Sequence, residues 1–410
     1  MSLGSTVFVL ISAILVLLMT PGLAFFYGGL VSKKNVVNTM FLVFIMTGMV
    51  ALMWVIFGYG FSFVGNGAFI GDFKHFFLSG LDLNSLQPTK IPTGVYMLFQ
   101  MMFAVITPGL FIGAIVGRTK MKFILLFIFV WSIVVYYPMV HMVWSPTGFL
   151  AKMGTLDFAG GTVIHINAGV TAFVLAKLIG KRLNYGKKIQ AYSVPLVLIG
   201  TTLLWIGWYG FNAGSALAMN DVAMQAAVTT TVATGASMMT WFFMDVIFNK
   251  QASLMGVCTG TLCGLVGITP ATGFVTVAGA FWIGIIATIA SFAFINYVKP
   301  RIQLDDTLDA FGCHGISGMV GSIATGLFAT KLANPSIADN GLFYGGGAHQ
   351  VLVQIGATLF TIVFVAIAAF VIAKLVGLIT PMRATAEEEE QGMDLTDHGE
   401  VVDDSVHIKQ

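Results

Sequence analysis

The chain has 410 residues, of which 57% are hydrophobic and only 9% are charged, with a formal net charge of +2. Its mean hydropathy of +0.90 excludes a soluble globular domain, because a soluble chain of this length carries more polar residues. The balanced charge gives no basic surface for nucleic acid. The three cysteines, Cys258, Cys263 and Cys313, lack paired spacing and are expected to be small core residues. We expect a membrane protein without a metal or another cofactor.

Eleven apolar stretches are long enough to cross a lipid bilayer as helices. The first begins without a basic segment or a small-residue cleavage site, so we expect a membrane span there and no cleaved signal peptide. The predicted fold is therefore an all-α polytopic membrane protein with eleven transmembrane helices. The stretches are residues 6–31, 37–63, 93–117, 121–143, 158–180, 192–217, 222–248, 252–270, 274–298, 310–330 and 350–379.

Basic residues predict the orientation of these spans, because an odd number places the chain ends on opposite sides of the membrane. The basic-poor side carries Lys74, Lys90, Lys152 and Lys331. The basic-rich side carries Lys33, Lys34, Arg118, Lys120, Lys122, Lys177, Lys181, Arg182, Lys187, Lys188, Lys250, Lys299 and Arg301. The positive-inside rule puts the N-terminus outside and the C-terminus in the cytoplasm. We divide the chain into a transmembrane domain, 1–384, and a cytoplasmic tail, 385–410.

The fifth span holds an ionisable residue deep within an apolar stretch. Asp157 stands at its start, and His165 follows eight residues later, about 12 Å further in at about 1.5 Å per residue. That depth is near the middle of a hydrocarbon layer about 30 Å thick. A histidine there indicates a pathway, a relay or a site, although a satisfied structural histidine fits equally well. Asp157 fits a helix cap, through the amides of Ala159 or Gly160, better than it fits a ligand.

The tenth span begins like the fifth and indicates an internal repeat. Asp157-Phe-Ala-Gly160 leads to His165, and Asp309-Ala-Phe-Gly312 leads to His314 five spans later. A repeat of five spans enters the membrane from the opposite side in its second copy. We therefore predict an inverted five-plus-five helix repeat in which the two histidines meet near the midplane. The spacing from aspartate to histidine is eight residues in one copy and five in the other, so the correspondence is approximate.

Aromatic side chains and one hydroxyl stand at helical spacing in other spans. Phe99 and Phe103 share a face of the third span, Trp144 ends the fourth, and Phe211 and Ser215 share a face of the sixth. Ring faces attract a small cation by about 0.5–1 kcal/mol when exposed, and by about 2 kcal/mol or more when dry. In a chain with 35 phenylalanines, ordinary packing accounts for most such pairs. Spacing alone therefore does not establish a cation site.

Together these segments resemble the ammonium transporter family of Amt, Mep and Rh proteins, in its bacterial or archaeal Amt type. The resemblance implies an eleven-helix homotrimer in the inner (plasma) membrane that is not an enzyme and has one pore in each subunit. The segments that carry it are Phe99-Gln-Met-Met-Phe-Ala104, His141-Met-Val-Trp144, Asp157-Phe-Ala-Gly-Gly-Thr-Val-Ile-His-Ile-Asn-Ala168, Gly207-Trp-Tyr-Gly-Phe-Asn-Ala-Gly-Ser215, Asp309-Ala-Phe-Gly-Cys-His-Gly315 and Gly392-Met-Asp-Leu-Thr-Asp-His-Gly-Glu400.

The resemblance also implies roles at the outer end of each pore. Phe103, Trp144 and Ser215 would form an external ammonium-binding site, and Phe103 with Phe211 would form a gate of stacked rings. The segment Ser145-Pro-Thr-Gly148 departs from the family pattern, which has a glycine run after the tryptophan. We expect this departure to change the shape of the outer vestibule more than its chemistry.

Deeper in the pore, the resemblance implies that His165 and His314 form a hydrogen-bonded pair and that Phe99 also lines the path. In this family the aspartate that matches Asp157 is mainly structural, which agrees with the cap interpretation. No third metal ligand accompanies the two histidines in the sequence, which argues against a membrane-embedded metalloenzyme. We expect no metal site and no catalytic residue.

Physical chemistry indicates how such a pore would work. A bare ammonium ion in an apolar pore faces a desolvation cost of tens of kcal/mol, and loss of its proton removes most of that cost. We expect NH4+ to be recruited outside and NH3 to pass along imidazoles that donate and accept hydrogen bonds. Potassium ions have no proton to give up and would be rejected. The sequence leaves open whether the proton stays outside, as in a passive ammonia gas channel, or crosses by a separate relay.

The tail offers a regulatory hypothesis. Its segment 392–400 resembles the family tail, which implies a contact with the cytoplasmic face and a PII-type signalling protein as a partner. The acidic run Glu387–Glu390 could dock on basic loops, but we expect a solvated run without a fixed partner. The main alternative to transport is an ammonium sensor that signals through this tail.

Overall fold

The computed structural model describes residues 1–187 and 189–402, and its regular structure is helical. Eleven helices coincide with the eleven predicted spans, which confirms the all-α polytopic membrane fold. Nine of them are long and apolar enough to cross a membrane, and α8 and α10 are shorter. In chain order they are α1 (Leu3–Leu30), α2 (Lys33–Phe63), α3 (Thr93–Ile112), α4 (Met121–Lys152), α5 (Gly161–Ile179), α6 (Val194–Gly214), α7 (Asp221–Asn249), α8 (Leu254–Ile268), α9 (Val277–Arg301), α10 (311–328) and α11 (His349–Gly377).

Local sequence signals explain where several of these helices begin. Five of them start at a residue whose side chain accepts a hydrogen bond from an amide of the first turn. Such caps satisfy backbone donors that have no partner within the helix. The capping residues are Ser2, Ser193, Asn220, Ser253 and Thr276.

Helices α1 and α6 pack closely along their length. A Cβ atom added to Gly200 would lie 2.3 Å from the amide nitrogen of Phe26, and one added to Gly210 would lie 2.6 Å from the Cβ of Leu15. Later residues of α6 contact earlier residues of α1, so the two helices run antiparallel. Small residues allow this backbone approach within a membrane.

The tail packs against the helical core. A short helix, α12 (Ala386–Gln391), begins with a capping box in which Thr385 and Glu388 exchange hydrogen bonds between side chain and backbone. Met393 beyond it is fully buried, and its amide donates to the Asn35 side chain at 2.9 Å. The carboxylate of Asp394 accepts from the amide of Asn38 at 2.8 Å. Residue 188 and the predicted tail end, 403–410, lie outside the described residues.

The acidic run of the tail is only partly solvated, so the expectation of a run without fixed partners was wrong for two of its members. Glu388 pairs with Lys120. Glu389 is buried, and its carboxylate pairs with Arg383 at 2.8 Å and accepts from the amide of Leu183. The capping box fixes the orientation of α12 and turns these carboxylates toward Lys120, which is distant in the sequence, and toward Arg383, which lies six residues before Glu389. Glu387 remains exposed.

Candidate functional site

The two predicted pore histidines meet inside the helical bundle. The ring centroids of His165 and His314 are 5.4 Å apart, and their planes are inclined by only 10°. Both side chains are buried, with relative exposures of 1% and 3%. The sequence places them 149 positions apart in the chain, so it is the packing of α5 against α10 that makes them neighbours.

Glycines allow α5 and α10 to approach closely enough for this pairing. A Cβ atom added to Gly169 would lie 2.3 Å from the Cα of Gly315, and one added to Gly318 would lie 3.1 Å from the Cβ of His165. The two helices therefore touch backbone to backbone beside the histidines. The later residue of α5, Gly169, meets the earlier residue of α10, Gly315, so the two helices run antiparallel.

Each histidine lies in a six-residue π-helical segment at the start of its helix, Gly161–Ile166 and Phe311–Ile316. Segments of this kind are rare and concentrate at functional positions. They widen the turn by one residue relative to an α-helix. Both histidines thus share a π-helical backbone as well as a common location, and shorter π-helical segments also occur in α2, α4, α7, α9 and the tail.

Asp157 caps the first of these segments. One carboxylate oxygen accepts the amide hydrogens of Gly160 and Gly161 at 2.8 and 2.6 Å. The other accepts those of Thr162 and Val163 at 2.9 and 3.2 Å, and also the hydroxyl of Thr162. These contacts agree with the predicted cap, although Gly160 to Val163 supply the amides and Ala159 does not. A carboxylate at a helix N-terminus is also favoured by the helix dipole.

The second segment is capped by Asp306, a residue that the sequence analysis did not single out. Its two carboxylate oxygens accept the amide hydrogens of Ala310 at 2.9 Å and Phe311 at 2.8 Å. Asp306 precedes His314 by eight residues, the same spacing that separates Asp157 from His165. The spacing from capping aspartate to histidine is therefore eight residues in both helices, although the spacing from Asp309 to His314 is five.

Asp309, which the sequence aligned with Asp157, has a different role. Its backbone is left-handed, with φ of 59°, and its carboxylate pairs with Lys299 instead of with the helix amides. Burial, together with the negative charge of Asp309, raises the pKa of nearby Asp306 to about 6. The motif match therefore found the right helix but the wrong aspartate.

Ring faces hold His165 in place. Trp208 of α6 lies against it with a centroid distance of 5.5 Å and an angle of 17°. Neither ring nitrogen of His165 has a hydrogen-bond partner among the described residues. The expected hydrogen bond to His314 is therefore not formed; the rings of Trp208 and His314 instead lie nearly parallel to the His165 ring.

A narrow apolar cavity surrounds the pair. Both histidines line it, together with Trp208 and with apolar side chains of α1, α3 and α6 that include Met19 and Ile106. It leaves about 10 Å³ open to the centre of a water-sized molecule, which is close to the minimum that one water requires. The space therefore suits a single small molecule and offers it few polar partners besides the imidazoles.

A continuous series of aromatic contacts connects this cavity with the end of α4. Phe211 lies 5.9 Å from His165 and 4.4 Å from Phe103, measured between ring centroids. Phe103 in turn lies 5.9 Å from Trp144. Phe103 and Phe211 are each only 1% exposed, so these two rings fill the space between Trp144 and the cavity.

The remaining predicted site residues lie around this series. The indole nitrogen of Trp144 donates to the carbonyl of Asp157 at 2.9 Å, which fixes the orientation of the half-buried ring. The hydroxyl of Ser215 donates to the carbonyl of Phe211 at 2.8 Å, and its oxygen retains capacity to accept a hydrogen bond. Phe99 is fully buried behind Phe103, with a centroid distance of 4.8 Å, and does not line the cavity.

The segment 145–148, where the sequence departs from the family pattern, forms a tight turn after Trp144. The hydroxyls of Ser145 and Thr147 lie 3.0 Å apart, and that of Thr147 lies 3.3 Å from Nε2 of His141. His141 is fully buried and also contacts the carbonyl of Gly67 at 2.6 Å. Side-chain hydroxyls and the buried imidazole therefore shape this part of the vestibule.

Two residues of the site were missed in the sequence, and each had a detectable signal. Trp208 stands three residues before Phe211, a spacing that places both side chains on one helix face. Asp306 stands at the same distance from its histidine as Asp157 does. The equal spacing from aspartate to histidine identified the capping residue better than did the similarity of the residues that follow each aspartate.

Comparisons with known proteins agree with this geometry. Residues 7–402 match the family model described as Ammonium Transporter Family. The chain is 45% identical to an ammonium transporter of Bacillus subtilis (strain 168), covering 98% of both chains. It is 39% identical to ammonium transporter Amt1 of Archaeoglobus fulgidus, covering 98% of this chain and 99% of the relative.

Solved structures agree as well. Mep2 of Candida albicans superimposes with a TM-score of 0.89 at 30% identity, covering 95% of this chain and 88% of that one. A structure described as a sensor Amt protein gives a TM-score of 0.88 at 26% identity, covering 96% and 98% of the two chains. The family match spans nearly the whole chain, including both histidine helices and most of the tail. The chain therefore belongs to the ammonium transporter family, whose members are non-enzymatic, multi-pass proteins of the plasma membrane.

Proposed function

We propose that this chain transports ammonium by recruiting NH4+ at an external aromatic site and passing NH3 between His165 and His314. The observation that carries the proposal is the pair of buried imidazoles in a narrow apolar cavity, with both nitrogens of His165 free of hydrogen-bond partners among the described residues. Free nitrogens can donate to or accept from a passing ammonia molecule. A purely structural histidine would normally have its nitrogens satisfied.

The apolar lining decides which form of the substrate crosses. Moving an unpaired ion from water into such a medium costs tens of kcal/mol by a Born estimate, whereas a neutral molecule loses only its hydrogen bonds. The imidazoles replace part of those bonds. Ammonium therefore releases its proton before it enters the cavity, and an ion without a removable proton is rejected.

Recruitment of the cation is assigned to Phe103, Trp144 and Ser215. The fixed indole ring of Trp144 and the ring of Phe103 offer faces to a cation, and the Ser215 oxygen can accept one of its hydrogens. Cation–π attraction is worth about 2 kcal/mol or more once water is removed. The closed contact between Phe103 and Phe211 then acts as a gate that must open for ammonia to reach His165.

We also propose an inverted five-plus-five repeat with the N-terminus outside and the tail in the cytoplasm. Helices five positions apart in the chain run antiparallel where they touch, both for α1 with α6 and for α5 with α10. Equal spacing of the capping aspartates, Asp157 and Asp306, from their histidines supports the same relationship. The excess of basic residues in the loops on the tail side supports the orientation.

The division into a transporter domain, 1–384, and a regulatory tail, 385–410, completes the proposal, together with a homotrimer. The tail contacts the start of α2, and a PII-type signalling protein would bind at this face. The similarity to a sensor Amt protein keeps ammonium sensing as the alternative function. Uptake against a gradient by cells that express the chain distinguishes the transporter from the sensor.

Replacing both His165 and His314 by leucine tests the transport mechanism. We expect the double variant to lose ammonium uptake and ammonium-evoked current in proteoliposomes, because both imidazoles that line the cavity are removed. His349→Gln is the matched control, since this histidine is exposed and distant from the pair, and it should transport normally. Wild-type flux in the double variant would contradict the proposed path. Uptake without current in the wild type would identify a passive gas channel instead of an electrogenic transporter.

A further inference from the structure

A second cavity, of about 360 Å³, lies on the side of the protein that carries the tail. Its walls come from five segments distant in sequence: the α1–α2 connection with the start of α2, the α3–α4 connection, the loop after α5, the α9–α10 connection and the end of α12. The cavity is much larger and more polar than the space around the histidines. Its volume falls within the range of small-molecule sites.

Three basic side chains face this cavity: Lys34, Arg182 and Lys187. Two carboxylates also line it, but Glu389 is already paired with Arg383, which does not line the cavity, and Glu390 is exposed. Positive charge from two separate segments, the start of α2 and the loop after α5, therefore converges on one cavity. Such convergence is typical of anion-binding sites.

Arg182 provides the most specific observation. Its Nε and Nη1 atoms are buried and have no hydrogen-bond partner among the described residues, although Nη1 lies 3.3 Å from a carboxylate oxygen of Asp305. A guanidinium group has five donors arranged in a planar fork, and buried donors are normally satisfied. Because Nη1 is turned toward Asp305, the Nε hydrogen is the buried donor left for one oxygen of an anion.

Lys34 and Lys187 add further donors. The Lys34 ammonium donates to the backbone carbonyls of Glu389 and Glu390 at 2.7 and 2.6 Å, which leaves its third hydrogen for a ligand. Lys187 is exposed at the cavity wall. Tetrahedral phosphate oxygens can engage a guanidinium fork and two ammonium groups at once, whereas a planar carboxylate has only two oxygens to share among them.

We propose that this cavity binds a small phosphate-bearing anion, either a free phosphorylated metabolite or the phosphate headgroup of a lipid. The ligand bridges the core and the tail, because Lys34 holds the tail backbone while Arg182 and Lys187 belong to the loop after α5. Occupancy consequently stabilises the docked tail. This assignment does not depend on the transport mechanism proposed above, since binding and tail docking are both measured without transport.

The test uses the full-length protein in detergent, titrated with inorganic pyrophosphate by calorimetry at low salt. Lys187→Gln, at an exposed position, should weaken binding about threefold. Arg182→Gln should weaken it about tenfold or more, because it removes the charged donor fork. Lys250→Gln, an exposed lysine of the α7–α8 connection, is the matched control and should bind like the wild type. Hydrogen exchange of residues 386–398 should slow when pyrophosphate is present.

A parallel titration in lipid nanodiscs identifies the source of the phosphate. Binding of pyrophosphate that is weakened by both variants supports a free metabolite. Slower tail exchange only in discs containing phosphatidic acid, and not in pure phosphatidylcholine, supports a lipid headgroup if the variants abolish the effect. If Arg182→Gln fails to fold, Lys187→Gln carries the comparison. Absence of both effects, or binding that is the same in Lys187→Gln and the control, would overturn the proposal.

Discussion

The backbone contact between α5 and α10 makes Gly169→Ala the sharpest test of how the histidine pair is positioned. The added Cβ would lie 2.3 Å from both the Cα and the amide nitrogen of Gly315, where ordinary contacts begin at 3.4 Å. The two helices must therefore separate by about 1.1 Å at this point. No flexible side chain can absorb the clash, because both contacting atoms belong to the backbone.

The expected cost follows from this geometry. Overpacking of a well-packed interior typically destabilises by about 1–3 kcal/mol, and the higher helix propensity of alanine offsets about 0.5–1 kcal/mol of it. The separation also displaces His165, one turn away on the same helix. Because an error of about 1 Å in a positioned site can lower a rate by about 100-fold, we expect ammonium flux to fall at least tenfold.

The assay compares Gly169→Ala with Gly235→Ala, in proteoliposome flux and in thermal unfolding in detergent. Gly235 lies within α7, and a Cβ there would have no neighbour within 4 Å, so this variant carries only the gain in helix propensity. We expect Gly235→Ala to be as active as the wild type and slightly more stable. Equal stability and flux in both variants would refute the argument that close backbone contact sets the geometry of the pair.

Three further predictions concern the outer site and the tail. Trp144→Leu should weaken the apparent ammonium affinity about two- to thirtyfold, while the protein still elutes as the wild-type assembly. An unchanged affinity, measured by titrating the ammonium-evoked current, would count against the aromatic site. Deleting residues 385–410 should leave assembly intact and reduce or deregulate transport, and full flux with unaltered PII-type binding would show that the tail is dispensable. Burial raises the pKa values of Asp394 and Asp397 above their ordinary 3.8 in the docked tail, so docking takes up protons. The stability that these two carboxyl groups add to the docked tail is complete below about pH 3.8 and is lost as the pH rises through the raised pKa values. The pKa of Glu388 is lowered, chiefly by a hydrogen bond from Lys120. Its contribution to docking is therefore complete above its ordinary pKa of 4.5 and is lost only at lower pH. Spin-label distances between the tail and the core should consequently lengthen as the pH rises from 4.5. Constant distances would refute the proton linkage.

The sequence was sufficient to predict the spans and the pairing of His165 with His314. Both predictions rest on strong physical constraints, since an apolar stretch of spanning length has few alternatives to a helix and an ionisable residue at mid-membrane is costly. Most boundaries differ by only a few residues, as in α5, predicted at 158–180 and observed at Gly161–Ile179, but α4 continues to Lys152 where an end at 143 was predicted.

The cap of α10 was not predicted, because local similarity pointed to Asp309. The left-handed backbone at that residue turns its carboxylate toward Lys299, and no propensity of aspartate reveals such a turn in advance. Once the backbone is known, Asp306 is the residue in reach of the free amides. Motif similarity identified the region, and only three-dimensional geometry identified the atoms.

The docking of the acidic run depended on partners that no local pattern could supply. Lys120, Arg383 and Leu183 converge on Glu388 and Glu389 from loops far apart in the sequence. A run of carboxylates is usually solvated because the entropic cost of fixing such side chains exceeds a weak surface attraction. Here a capped helix already fixes the run, so less entropy remains to be lost.

The wide turns that hold the two histidines give this protein a local tolerance for a change in chain length. Each turn of Gly161–Ile166 and Phe311–Ile316 contains one residue more than an α-helical turn. Removal of one residue would let the turn close as an α-helix while the chain before and after it keeps its direction, because the wide turn completes one revolution in either form. Removal of one residue from a regular α-helix instead rotates everything before it by about 100° relative to everything after it. One-residue deletions in these turns are therefore expected to be less damaging than one-residue deletions in the α-helical turns that follow them.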